Sequence, residues 1–274
     1  MYKRVLFLIS SLLMFSCSGN DSSNIPPEPD QTIIPPIIEP PNQDPGSWSN
    51  YHWARQSNPF TVKLGSNLSP AWVPYLNSTS SDWSVSSVLD TVVINGSSEP
   101  KSCLPTLGII EICNSTYGET GWLGIAEIWV TSDHIIQATV RINDTYFITP
   151  KYNFPPFKSL VMCQEVGHTF GLAHQDEIQT NTNLGSCMDY SNNPAGPPSN
   201  ERPNQHDYDE LNLIYLHLDD ITTVNAQPPL YELPPIPPYG KDFGRLKVSS
   251  FNSKTFVKYY SSKEFIVTHI IESN

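Results

Sequence analysis

The chain is short of positive charge, of cysteine and of long apolar runs. Against 27 Asp and Glu it carries only 15 Lys and Arg, a formal net charge of −12. Such an acidic surface argues against a nucleic-acid partner, which is held through phosphate contacts from Lys and Arg. The apolar run at residues 5–15 falls below the roughly 18 residues of a membrane-spanning helix. Preceded by Lys3 and Arg4, it reads as an export signal over residues 1–16. Removing that signal takes away two basic and no acidic residues, which leaves 13 against 27, or −14. These features describe a soluble, extracytoplasmic protein.

The five cysteines suit an oxidising compartment. Leu13-Met14-Phe15-Ser16-Cys17 resembles a bacterial lipobox, in which Cys17 becomes a lipidated N-terminus. A plain secretory signal cleaved nearby is the alternative, and it leaves Cys17 as an unpaired thiol. The other four cysteines allow three pairings. Cys103 with Cys113 closes a short loop. Cys163 with Cys187 joins the segments that carry the chemistry discussed next.

Proline, by contrast, is plentiful, with 26 residues. One cluster makes residues 17–47 a tether of polyproline II type, and a second makes residues 227–240 a linker. Between them, residues 48–226 read as an α+β domain. Strands are expected at 60–64 and 88–94, and a helix opened by Ser69 and Pro70. A hairpin is expected from 121–130 and 134–142. A helix follows from 157–170 after Pro155 and Pro156, and a last helix has Asp207 and Glu210 at capping-box spacing. The apolar stripe of that last helix is Leu211, Ile214, Tyr215 and Leu218. Residues 241–274 alternate like two or three short strands. They are too few for a core of their own and are expected to dock on the main domain.

The chemistry-bearing segment is 164–174, Gln-Glu-Val-Gly-His-Thr-Phe-Gly-Leu-Ala-His. Residues 164 and 168 are one helical turn apart on the same face, so both can reach one ion. Glu165 beside them is placed to act as general base for an attacking water. Gly171 permits a left-handed turn that brings His174 back as a further ligand. Downstream stands Ser186-Cys187-Met188-Asp189-Tyr190.

Together these residues resemble the metzincin zinc metallopeptidases, whose signature is H-E-x-x-H-x-x-G-x-x-H followed by a Met-turn. Gln164 stands where the first His of the signature belongs. The resemblance implies a two-subdomain α+β catalytic fold and Zn²⁺ bound by Gln164, His168 and His174. It further implies Glu165 as base, Tyr190 as a zinc-side or oxyanion-binding phenol, and Met188 beneath the ligands. Its activity is hydrolysis of a peptide or protein substrate, with an edge strand, here near residues 122–126, pairing with the extended substrate.

An amide oxygen is a poorer zinc donor than an imidazole, so a site that keeps the fold and has lost its metal stays open. On that reading the protein is a peptide-binding pseudo-peptidase. Cys163 as a ligand is a weaker alternative, since adjacent helical residues diverge by about 100°. His206 reads as structural. His52, His134, His217 and His269 have no ligand spacing and are given no role. A monomeric surface lipoprotein, touching membrane only through its lipid, is the expected setting.

Overall fold

The computed structural model describes residues 51–226, 242–250 and 253–273. The signal, Cys17, the tether at 17–47 and the linker at 227–240 lie outside the described residues. In chain order the elements are β1 (His52–Trp53), β2 (Phe60–Asn67), α1 (Val73–Trp83), β3 (Leu89–Asn95), β4 (Ile109–Ser115), β5 (Trp122–Thr131) and β6 (His134–Asn143). These are followed by α2 (Asp144–Phe147), α3 (Pro155–His168), α4 (Gln205–Ile214), β7 (Arg245–Ser249), β8 (Ser253–Tyr259) and β9 (Glu264–Glu272). This is an α+β arrangement. Among the described residues no helix is long and apolar enough to cross a membrane.

One mixed sheet organises the chain, in the order β3-β2-β4-β6-β5-β9-β8-β7, with β1 paired to the start of β6. Strands β2, β3, β4 and β6 run parallel, and β5 turns back against β6 through Ser132 and Asp133, both at positive φ. The C-terminal strands then add antiparallel to the free side of β5: Ala126 pairs with His269 and Ile128 with Val267. This placement corrects the expectation that residues 122–126 form an edge open to substrate. Trp122 to Val130 are all buried, because neighbouring strands occupy both edges of β5.

Helices α1 and α3 pack against each other, and α3 lies across β5 and β6. Pro155 and Pro156 open α3, where missing N–H groups cost nothing because those donors have no helical partner. From Leu160 to His168 every residue of α3 is buried, so the helix threads the interior. Its trailing carbonyls are met by side chains. Trp53 Nε1 donates to Thr169 (2.9 Å) and the Tyr215 hydroxyl to Phe170 (3.0 Å).

Three local expectations need adjustment. Helix α1 starts at Val73 with Pro74 in its first turn, and Ser69 makes no side-chain cap; its carbonyl only accepts a turn bond from Trp72. Helix α4 is capped by Asn204, with Asp207 as the returning carboxylate of the box, so the Asp207 and Glu210 spacing is not the cap. Leu218 lies beyond the helix and is exposed, whereas Leu211, Ile214 and Tyr215 are buried. Asn is as strong a cap as Asp, and here it stands three residues earlier.

Candidate metal centre

The end of α3 sets the first two imidazoles. After His168 the helix stops, and Gly171 takes φ +98°, a conformation that a β-carbon opposes. A β-carbon there would also come within 2.2 Å of the Tyr51 carbonyl. The chain reverses and returns His174 to His168, with ring centroids 4.6 Å apart. The disulfide Cys163–Cys187 fastens this helix to the turn carrying Met188, while Cys103–Cys113 closes its loop elsewhere. Met188 packs against the helix at Gly167, where a β-carbon would meet its sulfur at 2.6 Å. The turn itself is held by Ser186, whose hydroxyl donates to Asp207 of α4 (2.7 Å).

The third imidazole comes from β9. His269 stands 3.9 Å from His168 and 4.5 Å from His174 between ring centroids. The ligand atoms of all three lie within 4.8 Å of one another. His269, given no role in the sequence, thus joins the two imidazoles of the motif. The Gln164 amide donates to the Cys187 carbonyl (2.9 Å), and its Oε1 is buried without a hydrogen-bond partner. An imidazole from the far end of the chain is thus brought to the helix that carries Gln164 and His168. One signal was present in the sequence: a lone His within the apolar run 265–271 is buried on strand periodicity, and a buried imidazole needs a polar reason.

Glu165 and Tyr190 complete the cluster. The Glu165 carboxylate lies 3.7 Å from His269 Nδ1 and against Gly124 of β5, where a β-carbon would meet its Oε1 at 2.6 Å. The Tyr190 ring stacks 4.5 Å from His174. Glu165, His168 and His269 are wholly buried, Tyr190 and His174 nearly so. Burial pushes the Glu165 carboxyl well above the usual carboxylate range. It raises the Tyr190 phenol too, helped by the charges of Glu165 and Glu177 and opposed by the Ser253 hydroxyl. His168 and His269 are held well below the ordinary histidine value, by burial first and then by neighbouring imidazoles. Beside Tyr190 a cavity of ≈ 20 Å³, room for about one water, is lined by Leu123, Val161, Tyr190 and Ile271 among others.

The donor set fits a zinc-type ion. His168 Nδ1 donates to the Leu172 carbonyl (2.8 Å) and His174 Nδ1 to the Glu177 carboxylate (3.0 Å). Both partners accept only, so each ring has a proton on Nδ1 and Nε2 is the nitrogen left for an ion. Such outer partners are the usual support of metal-bound histidine. Three imidazoles are a familiar zinc set, and His174 Nε2 has no protein partner.

No protein family is matched by the chain, and no curated protein is matched either. Among solved structures, the chain is similar to myroilysin at 10% identity and TM-score 0.33, over 59% of this chain and 82% of that one. It is also similar to high choriolytic enzyme 1, a hatching enzyme zinc-protease from Oryzias latipes (medaka fish). There the identity is 12% and the TM-score 0.34, over 61% of this chain and 96% of that one. Likenesses of this size carry no argument about the chemistry, which rests on the residues described above.

Proposed function

We propose that the chain is a zinc-dependent peptidase of metzincin type in which His168, His174 and His269 hold the metal. The observation that carries this reading is the convergence of three buried imidazoles with the Glu165 carboxylate on one point of α3. Zinc in such a site polarises a scissile carbonyl and acidifies water.

Glu165 is the base in this reading. Its raised proton affinity suits a group that takes a proton from attacking water and passes it to the leaving amine. Tyr190 stays protonated because burial holds its phenol neutral, so it can donate to the oxyanion that develops on the carbonyl. The disulfide Cys163–Cys187 and Met188 keep α3 and the turn below it in register, and β9 excludes bulk water. The N-terminal signal, the lipid at Cys17 and the tether would hold this domain outside the cytoplasm. Incorporation of labelled palmitate, lost in Cys17→Ser, tests that placement.

Cleavage of a mixed peptide library by the full chain, beside Glu165→Ala, tests the activity. Removing the base should lower turnover by roughly 10²–10⁴-fold with zinc content unchanged. Equal cleavage by both proteins would remove Glu165 from the mechanism. A second reading is favoured by the pairing of β9 along β5, which fills the strand position a peptide would need. On that reading the protein is a zinc-bearing pseudo-peptidase, and its outcome is bound zinc with no hydrolysis by either protein.

A further inference from the structure

Outside the site on α3, three further histidines gather around one carboxylate. His52 sits on β1 and His134 opens β6, where the two are register partners. His217 and Asp219 follow α4. The Nε2 atoms of His52, His134 and His217 lie 3.3, 3.2 and 3.3 Å from the single oxygen Asp219 Oδ1. The other oxygen, Oδ2, accepts from the Arg55 backbone N–H (3.1 Å) and from its guanidinium (3.3 Å). The His52 ring stands nearly perpendicular to those of His134 (4.9 Å) and His217 (4.8 Å). Six of the chain's seven histidines, all but His206, therefore fall into two groups of three.

Hydrogen bonding alone accounts poorly for this arrangement. One carboxylate oxygen offers about two lone pairs, and three imidazoles surround it. The separations match a different geometry. In a tetrahedral site with bonds of about 2.0 Å, neighbouring ligand atoms stand about 1.63 times that length apart, or ~3.3 Å. The ligand atoms of His52, His217 and Asp219 all lie within 4.8 Å of one another.

We infer that His52, His217 and Asp219 form a second binding site for a divalent ion of the zinc class. His134 is a positioning residue that donates to the shared carboxylate oxygen. Arg55 fixes the opposite oxygen, in the way outer partners orient metal-bound carboxylates. Two imidazoles and a carboxylate suit a borderline ion that takes nitrogen and oxygen donors, rather than calcium or magnesium. His52 is buried and Asp219 half-buried, while the His217 side chain is 62% exposed, so an ion would enter from solvent on that side. Bound there, it would clasp β1 and the start of β6 to the segment after α4. The site is independent of the one on α3.

Zinc content of the full chain, stripped with chelator and dialysed against micromolar zinc, tests the inference. About two ions per chain are expected, falling to about one in His217→Ala. That variant removes an exposed side chain and is expected to fold. Cobalt loading of His217→Cys should restore the second ion and add a thiolate-to-cobalt absorption band. A zinc count that His217→Ala leaves unchanged, or no such band, overturns the proposal. Failure of the α3 site gives a separate pattern: about one ion per chain, lost in His217→Ala and kept in a His168→Ala, His174→Ala double variant.

Discussion

His168 and His269 lie with ring centroids 3.9 Å apart, one on the buried helix α3 and the other on the final strand. Strand register makes the pairing. Ala126 of β5 is opposite His269, and two residues before it Gly124 leaves room for Glu165, whose Oε1 a β-carbon there would meet at 2.6 Å. One stretch of β5 thus places both the third imidazole and the proposed base. A slip of one residue in β9 would turn His269 to the other face of the sheet.

The ligand set can be tested by comparing two truncations. His269→Ala should weaken zinc binding at the α3 centre by more than the roughly 10–100-fold cost of losing an outer partner. Gln164→Ala should cost less than about tenfold. Competition with a chelating dye reads both, in a His217→Ala background so that one centre is observed. The reverse order of effects would return the ligand role to Gln164.

The outer partner of His174 is equally specific. Glu177→Gln keeps the shape of the side chain but loses the charge that accepts from His174 Nδ1. Zinc affinity is expected to fall by roughly 10–100-fold with the unfolding midpoint of the metal-free protein little changed. An unaltered affinity in the same dye competition would count against an inward-facing Nε2 on His174.

The metal-free protein should be acid-sensitive. His168 and His269 have folded pKa values below the ordinary histidine value of 6.5, so the unfolded chain binds the extra protons. Their contribution to stability is therefore flat above about pH 6.5 and falls as pH drops below it, down to the folded values, while the raised Glu165 carboxyl contributes a slope of the opposite sign above its ordinary value. Urea unfolding of chelated protein at several pH values should show this. His269→Phe should flatten the slope, and a slope unchanged by that replacement would mean that His269 is charged or exposed in the folded state.

Packing below the centre is tight. A β-carbon on Gly167 would come 2.6 Å from Met188 Sδ and 2.7 Å from the Trp83 ring. Ala is otherwise preferred to Gly in a helix by about 1 kcal/mol. Gly167→Ala is nonetheless expected to destabilise by about 1–3 kcal/mol through overpacking. A lowered urea midpoint at unchanged m-value is the expected result; a raised one would show that Met188 moves aside freely.

The part of this centre that is local was legible in the sequence. Glu165, His168, Gly171 and His174 follow from helical spacing and one glycine turn, so α3 and its ligands could be read directly. Alternating residues also announced a C-terminal β segment. Where that segment docks depends on pairing across more than a hundred residues, and periodicity carries no information about partner or register. That is why His269 had no visible role and why β5 looked like a free edge. The same holds for His52, His134, His217 and Asp219, which come together only after β1, β6 and the end of α4 are assembled. The α4 cap was missed for a smaller reason: Asn204 lies just before the pair whose spacing fits the box.

Because His269 belongs to β9, the trio of imidazoles at α3 is complete only when this last strand is paired with β5. A chain that lacks only β9 has the helix, Glu165, the turn and the Cys163–Cys187 bridge, yet only two of the three imidazoles. Such a fragment would leave the β5 backbone open to other strands, the situation that invites aggregation. Completing the α3 centre and covering this edge of β5 are then the same step.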